Sequence, residues 1–305
     1  MHATFRQLRL LVALADTGSI TGAARACHVT QPTVSMQLRD LADSVGLPLH
    51  EQLGRRLRLT AAGEALVATA RRMVGEWTAF EQEIAAMKGL TRGRLSVAVV
   101  STAKYFVPGL LGAFCERHPD VDIALEVLNR DAVVARLREH RDDLYIMSMP
   151  PASPDLEKRM FMANPLVVIA PAGHRLARRR SMPPAALADE RFILREPGSG
   201  TRMACDAHFA AIGLQPRVRL ELGSNEAIKQ SVAAGLGLAV LSRHALAPRP
   251  EDEGLVELAV RGFPVHSNWY ILHPRAKRLS PIAAAFLAHV GAAVARAPGR
   301  PRARR

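Results

Sequence analysis

The stretch from residue 19 to residue 60 constrains the fold most, because it holds two helical patterns with only a short break between them. The first pattern is short and rich in alanine, so its helix carries little side-chain bulk and a second helix can cross it closely. The second begins with Pro32, which a helix tolerates in its first turn because the missing N–H would have no partner there. Thr30 or Gln31 can cap this second helix. Two short helices joined in this way predict a helix-turn-helix.

The second helix has one apolar side and one polar side. Its apolar residues recur at helical spacing and predict a buried face formed by Val34, Leu38, Leu41 and Val45. Amide and hydroxyl groups near a helix N-terminus suit the edges of DNA bases, since Gln can bond adenine through two hydrogen bonds and Ser or Thr can contact either base pair. The expected DNA contacts on the polar side are Thr30, Gln31, Pro32, Thr33, Ser35, Met36, Gln37 and Arg39.

After the second helix, leucines alternate with arginines on either side of Gly54. This alternation predicts a two-stranded wing whose arginines point outward to phosphates or into the minor groove. The arginines in question are Arg55, Arg56 and Arg58. The alternative is an ordinary three-helix subdomain with a solvated polar face, because short helix-turn-helix units also occur in unrelated proteins.

A long, uninterrupted helical pattern follows at residues 63–90. Its apolar stripe, with residues three and four apart, consists of Val67, Ala70, Val74, Trp77, Phe80, Ile84 and Met87. Because a helix of this length cannot bury such a stripe against a head of some sixty residues, we expect it to pair with a copy of itself, as in a coiled coil. The alternative is that the helix packs on the later part of its own chain. Pairing would supply the two-fold symmetry with which such proteins bind two half-sites.

From residue 93 onward, strand and helix patterns alternate. This order predicts mostly parallel sheets covered by helices. The chain is expected to cross to a second, similar lobe near Ala163 and to return near His266, which gives a bilobed α/β domain resembling periplasmic binding proteins. The expected strands are 94–100, 121–127, 143–149, 165–170, 192–196, 218–222, 236–241 and 268–272.

Three strand-to-helix corners in this part carry polar residues, at 101–104, 198–202 and 223–226. Ligands of open α/β sheets bind beyond the carboxyl ends of the strands, where hydroxyls, free N–H groups and positive helix ends favour an anion. The expected anion-binding residues are Ser101, Thr102, Lys104, Arg130, Ser148, Ser199, Thr201, Arg202 and Asn225. The alternative is that the hydroxyls serve only as helix caps.

The charge balance favours a polyanionic partner. The net charge is +13, and residues 1–62 hold seven arginines against four acidic residues. Residues 296–305 add five arginines and no acid. Such a balance promotes binding to phosphate backbones. The alternative is a bias of the source toward arginine and alanine, and the tail is expected to be a disordered extension with non-specific affinity at most.

Several classes of protein fit the sequence poorly. Cys27, Cys115 and Cys205 are odd in number and far apart, which predicts buried free thiols in a reducing compartment and neither a disulfide nor a metal site. Neither a signal peptide nor an apolar run of membrane-spanning length is visible, so we expect a cytoplasmic protein. No GxxxxGK[ST], GxSxG or HExxH motif occurs, so we expect neither an enzyme nor a cofactor. A ligand-binding or catalytic bilobed protein remains the alternative of another class.

Residues 5–63, with TQPTVS at 30–35, the arginine-rich wing and LTAAG at 59–63, resemble the head of the LysR-type transcriptional regulators. His50 stands where that family has Phe. The later segments STAKYFVPGLLGAFCERHPDV, DDLYIMSMPP, EPGSGTRMA and ELGSNEAIKQSVAAGLGLAVLSRH resemble the CbbR group, which activates RuBisCO and Calvin-cycle operons. VSMQL in the head, which includes Met36, fits that group too.

The resemblance implies a winged helix-turn-helix at 1–62, a linker helix at 63–92 and an effector-binding domain at 93–295, followed by the tail at 296–305. Within the effector domain, lobe I would comprise 93–163 and 267–295, and lobe II 164–266. It further implies an activator of carbon-fixation genes that binds double-stranded DNA as a homodimer or a dimer of dimers and contacts RNA polymerase. The effector would be an anionic metabolite such as ribulose bisphosphate, NADPH or phosphoenolpyruvate. An unrelated operon with a different small anion is the alternative.

Overall fold

The computed structural model describes residues 2–53, 56–87 and 93–296. These residues divide into two compact units, one built mainly from the chain before residue 91 and the other mainly from the chain after it. The predicted linker residues 88–92 and the tail residues 297–305 lie outside the described ranges.

The first unit begins with three short helices, whose ends follow from local sequence. The helices are α1 (Phe5–Thr17), α2 (Ile20–Ala26) and α3 (Gln31–Val45). Thr4, Ser19 and Thr30 cap them in turn, each side chain accepting a hydrogen bond from a backbone N–H of the first turn. Gly18 and Gly46 end α1 and α3 in the left-handed conformation, at φ +65° and +81°.

A single apolar core holds the three helices together. Val34, Leu38 and Leu41 on α3 are fully buried, as the helical spacing predicts, and Val45 packs at the edge of the core. The remaining buried members are Leu10, Leu11, Leu14, Ala23, Ala24, Leu49 and Val67. The alanines of α2 allow α3 to cross close to it, so packing of its buried face fixes the orientation of α3.

The predicted wing is an antiparallel pair, β1 (His50–Leu53) and β2 (Arg56–Leu59), in which Leu53 faces Arg56. Helix α4 (Ala61–Met87) follows directly. Gly63 on α4 lies against the chain that enters the wing, since a Cβ at this position would stand 1.9 Å from the Leu49 carbonyl oxygen. The absence of a side chain therefore permits the close packing of α4 on the head.

The apolar residues of α4 are buried near the start of the helix and half-exposed farther along. Val67 is buried in the core of the head, and Ala70 is also fully buried. Farther along, Met73, Trp77 and Phe80 leave about half of their surface exposed (50%, 51% and 50%). A large apolar surface at helical spacing is thus left uncovered by the single chain, which is what the sequence leads us to expect of a pairing helix.

The second unit contains two five-stranded sheets. The strands are β3 (Gly93–Val100), β4 (Val121–Leu128), β5 (Leu144–Met147), β6 (Leu156–Ala163), β7 (Leu166–Pro171), β8 (Arg191–Arg195), β9 (Arg217–Leu222), β10 (Leu238–Ser242), β11 (Leu255–Glu257) and β12 (Asn268–Pro274). Lobe I has the order β4-β3-β5-β12-β6, and lobe II has the order β11-β7-β10-β8-β9. In each sheet three neighbouring strands run parallel, and two strands at one side run antiparallel to their neighbours.

The helices that cover these sheets are α5 (Val107–Cys115), α6 (Arg130–Arg138), α7 (Gly200–Ala211), α8 (Asn225–Ala233) and α9 (Pro281–Arg296). Of these, α7 and α8 begin at corners that the sequence singles out, 198–202 and 223–226. The chain passes from lobe I to lobe II between β6 and β7 and returns between β11 and β12, so two segments connect the lobes. Across the described ranges, no helix is both long and apolar enough to cross a membrane.

Two strands were missing from the sequence prediction. β6 lies at the edge of its sheet and exposes four consecutive residues, 157–160, so its sequence shows neither alternation nor a continuous apolar run. β11 has only three residues and pairs on one side alone. Both strands depend on a neighbouring strand for their hydrogen bonds, which local sequence does not reveal.

Candidate functional site

The polar side of α3 lies open to solvent. Gln31, Pro32, Ser35, Met36 and Arg39 are exposed, and Met36 leaves 54% of its surface free. Thr33 and Gln37 are partly buried at the border of this face. The packing that buries the opposite side therefore presents the predicted DNA contacts together, as a recognition helix requires.

Thr30 is a predicted DNA contact and also caps α3. Its hydroxyl oxygen accepts a hydrogen bond from the Thr33 N–H at 3.4 Å and lies 2.8 Å from the Thr33 hydroxyl. Both threonines thus fix the first turn of α3. Gln31 and Ser35, which are exposed, are the freer polar groups at this end of the helix.

In the wing, the Arg58 side chain is exposed on β2. Arg55 lies outside the described residues, and so does the side chain of Arg56. His50, at the start of β1, has its Nδ1 atom buried, and the structure gives this nitrogen no hydrogen-bond partner among the described residues. A phenylalanine at this position would leave no such polar atom to satisfy.

The second unit contains a cleft between its two lobes, at the carboxyl ends of β3 and β8. Six of the nine predicted anion-binding residues line it: Ser101, Thr102, Arg130, Ser148, Ser199 and Thr201. The cavity has a volume of about 10 Å³, which is room for about one water molecule. In this arrangement the cleft therefore has no room for a metabolite.

Arg195, the last residue of β8, lies at the centre of the cleft and is only 3% exposed. Its Nη1 atom donates to the Asn225 side-chain oxygen at 2.8 Å, and its Nη2 atom donates to the Ser101 hydroxyl at 3.0 Å. The neighbouring Glu196 carboxylate accepts from Nε and Nη2 at 2.7 and 2.9 Å. A buried guanidinium with several donors directed into a polar cavity is a group suited to a carboxylate or a phosphate.

Asn225, the seventh predicted residue, joins the cleft through this arginine. It is 3% exposed, and its amide nitrogen donates to the Thr102 hydroxyl at 3.2 Å. Arg195 and Asn225 belong to lobe II, whereas Ser101 and Thr102 belong to lobe I. These hydrogen bonds therefore hold the two lobes together across the cavity.

Arg130 and a glycine corner form the opposite wall. Arg130 donates through Nε to the Met149 carbonyl oxygen at 2.6 Å, which fixes its guanidinium at the cavity. Gly198 has φ +84°, and a Cβ there would lie 2.7 Å from an oxygen of Asp131. Ser199 caps α7, whose N-terminal N–H groups face the same space.

Lys104 and Arg202 do not line the cavity. The ammonium of Lys104 is half-exposed and lies 3.9 Å from the Glu226 carboxylate. Arg202 is paired with Asp206 at 2.9 Å and Glu221 at 2.5 Å, and it donates to the Arg195 carbonyl oxygen. The prediction that these two residues contact the anion directly was based on their corner positions, their positive charge and the family resemblance. In the structure, nearby carboxylates pair with both cations.

The sequence interpretation missed Arg195. The available signal was its position at the carboxyl end of a strand, immediately before the glycine-rich corner, which is where ligand contacts concentrate in such sheets. The predicted strand 192–196 includes this residue, which was assigned no further role.

The cysteines are free, but only Cys205 is buried, whereas Cys27 and Cys115 are partly exposed, contrary to the expectation for all three. Burial raises the pKa of the Cys205 thiol to about 12, with a further contribution from Asp206. No group of His, Cys, Asp or Glu within the described ranges has an arrangement suited to a metal ion.

Comparison with known families decides the class of protein. Residues 5–64 match the bacterial regulatory helix-turn-helix protein, lysR family, and residues 88–295 match the LysR substrate binding domain. The chain belongs to the LysR family of transcriptional regulators. The match spans both described units, so this LysR-type chain is a DNA-binding regulator rather than an enzyme.

Three individual proteins extend the comparison. The RuBisCO operon transcriptional regulator of Acidithiobacillus ferrooxidans is 45% identical over 96% of this chain and 95% of its own. The Synechocystis PCC6803 CcmR regulatory domain, solved in complex with 2-PG, is 45% identical with a TM-score of 0.66, over 68% of this chain and all of its own. Full-length CbnR complexed with its target DNA is 25% identical with a TM-score of 0.65, over 94% and 98%.

Proposed function

We propose that this LysR-type regulator controls carbon-fixation genes in response to a small phosphorylated acid bound in the cleft around Arg195. The observation that carries the proposal is the buried Arg195 guanidinium, which faces a polar cavity beside the N-terminus of α7. The relatives that are regulators of RuBisCO operons support the target genes. The CcmR domain with bound 2-phosphoglycolate supports the class of effector.

The composition of the cleft favours a compact dianion over a large nucleotide. Two guanidiniums, Arg195 and Arg130, face the cavity, together with five hydroxyls. A molecule with one phosphate and one carboxylate, such as 2-phosphoglycolate or phosphoenolpyruvate, would offer each guanidinium an anionic group. Ribulose bisphosphate would need a wider opening of the lobes, and NADPH a still wider one.

We further infer that the chain acts as a homodimer or a dimer of dimers through α4. The half-exposed Met73, Trp77 and Phe80 give this helix a continuous apolar surface, and Trp77 lies 5.6 Å from Phe80 between ring centroids. A linker helix that pairs in this way would place two α3 helices on successive half-sites. In this scheme the domain limits are those expected from the sequence. Binding of the anion then alters the bend in the DNA and the contact with RNA polymerase.

A mobility-shift experiment tests the proposal. A fragment from the chain's own upstream region is titrated with protein at moderate salt, alone and with 2-phosphoglycolate, phosphoenolpyruvate, ribulose bisphosphate or NADPH. We expect specific binding whose affinity or mobility changes with a small phosphorylated acid. Specific binding that responds to none of the four would exclude the proposed effector class and leave the DNA-binding function intact.

A further inference from the structure

A contact at the rim of the cleft joins the two lobes beside the anion-binding residues. Tyr105 ends the short 3-10 helix Ser101–Tyr105 in lobe I, and Glu226 lies in the first turn of α8 in lobe II. The Tyr105 hydroxyl donates to the Glu226 carboxylate at 2.5 Å. Neither side chain lines the cavity. However, Ser101 and Thr102 of the same 3-10 helix do, and Asn225, next to Glu226, is bonded to the cavity residue Arg195.

Glu226 is held in place by its own lobe. The Lys229 ammonium lies 3.0 Å from one Glu226 oxygen and 2.7 Å from the Glu253 carboxylate, and the Lys229 side chain is only 6% exposed. Among the residues of lobe I that the structure describes, the Tyr105 hydroxyl and the half-exposed Lys104 are the groups that approach this carboxylate. Separation of the lobes would therefore break the Tyr105 contact and leave the Lys229 contacts intact.

The protonation states suit a strong bond. Burial and the neighbouring Glu226 raise the pKa of Tyr105 well above its usual range, so the hydroxyl keeps its proton at neutral pH. Burial disfavours the charged form of Glu226, but hydrogen bonds from Tyr105 and Lys229 outweigh this, and the pKa of Glu226 lies below its usual value. A neutral hydroxyl donating to a charged carboxylate forms one of the stronger classes of hydrogen bond.

The arrangement that contains this bond cannot also contain an effector. The cavity of about 10 Å³ has room for about one water molecule, whereas an organic anion needs several times that space. The ligand-bound cleft must then be wider than the one in which Tyr105 reaches Glu226. A bond present only in the narrow arrangement lowers the affinity for any ligand that needs the wide one.

We propose that the Tyr105–Glu226 bond is a latch that keeps the empty effector domain closed and thereby sets the concentration of effector needed for a response. The inference rests on the proposed anion binding in the cleft. Tyr105 and Glu226 are positioning residues, since they act through the arrangement of the lobes and do not contact the ligand.

The test uses the full-length protein with Tyr105→Phe, which removes the hydroxyl and keeps the ring. Tyr270→Phe, on β12 in the same lobe, is the matched control. Calorimetric titration with 2-phosphoglycolate should show a Kd lower than that of the wild type by roughly threefold to tenfold for Tyr105→Phe, since one charge-assisted hydrogen bond at a partly exposed site is lost from the empty state only. An unchanged or higher Kd would overturn the latch, because a higher value would mean that the hydroxyl contributes to the bound state.

Hydrogen–deuterium exchange without ligand separates the latch from the identity of the effector. Tyr105→Phe should speed exchange at residues 101–106 and 224–229 relative to the wild type and Tyr270→Phe. If the wild type binds no phosphorylated acid but exchange in the variant is faster, the latch stands and the proposed effector is wrong. If the wild type binds and the variant matches it in both exchange and Kd, the latch is wrong and the effector stands.

Discussion

Replacement of Arg195 by methionine is the sharpest perturbation of the cleft. Methionine keeps an unbranched apolar stem of similar reach and removes the guanidinium. In the empty cleft this group donates to Asn225, Ser101 and Glu196. Without the guanidinium, a bound anion would lose a charged hydrogen-bond donor.

The magnitude follows from the number of contacts at risk. A hydrogen bond to a charged group contributes about 1.5–3 kcal/mol, so the loss of even one bond to the effector weakens binding by roughly 10-fold to 100-fold. The carboxylate of Glu196 would also lose its charged partner, and its uncompensated charge beside the anion would further weaken binding. We therefore expect at least about a 10-fold rise in Kd for 2-phosphoglycolate, measured by calorimetry on the full-length protein.

Arg202→Met is the matched control. It removes an arginine from the same lobe whose pairs with Asp206 and Glu221 lie outside the cavity, so the Kd should change little. Thermal melting verifies that each variant folds. A folded Arg195→Met protein that binds as tightly as the wild type would refute the cleft assignment, as would an equal loss of affinity in Arg202→Met.

Three further predictions follow from the same structure. Gly63→Ala should destabilise the protein by about 1–3 kcal/mol or more in denaturant unfolding, since its Cβ would stand 1.9 Å from the Leu49 carbonyl oxygen, whereas Gly75→Ala on the same helix meets no atom within 4 Å and should be neutral or stabilising. Cys205 should resist iodoacetamide at pH 8 until the protein unfolds. Because its pKa rises from 9.0 to about 12 on folding, the unfolded chain releases the proton first and this thiol lowers stability as pH rises through that interval. Rapid native labelling of all three cysteines would contradict this. Gln31→Ala should weaken operator binding by about 1–3 kcal/mol without changing effector affinity, and equal loss on unrelated DNA would argue against base recognition.

The local sequence predicted most of the fold because its signals were short-range. Thr30 and Gly46 mark the two ends of α3, and the apolar spacing between them identifies the buried face. The central strands β3 and β5 appear as largely apolar runs, as strands buried on both faces must. The edge strand β6 shows no such apolar run, because its residues are mostly exposed and it is held by hydrogen bonds to β12, which is distant in sequence.

The site was predicted less completely than the fold. Ser101, Thr102 and Thr201 follow from their strand-to-helix corners, because the chain order alone places each corner at the carboxyl end of a strand in its own sheet. Whether a cation enters the cavity depends instead on where the carboxylates that pair with it lie, since Arg195 is itself paired with Glu196. Arg202 is held by two such groups, while Arg195 reaches the cavity, and this difference depends on contacts 4 to 94 residues away in sequence.

The central claim is that an anion in the cleft and DNA at α3 are coupled, and reciprocity tests it most directly. The affinity of the full-length protein for 2-phosphoglycolate is measured with and without saturating operator DNA, and operator affinity is measured with and without the anion. Coupling requires that both ratios be equal and differ from one. An anion that binds with the same affinity whether or not operator is present would contradict the account, since a ligand without preference between the two states shifts neither.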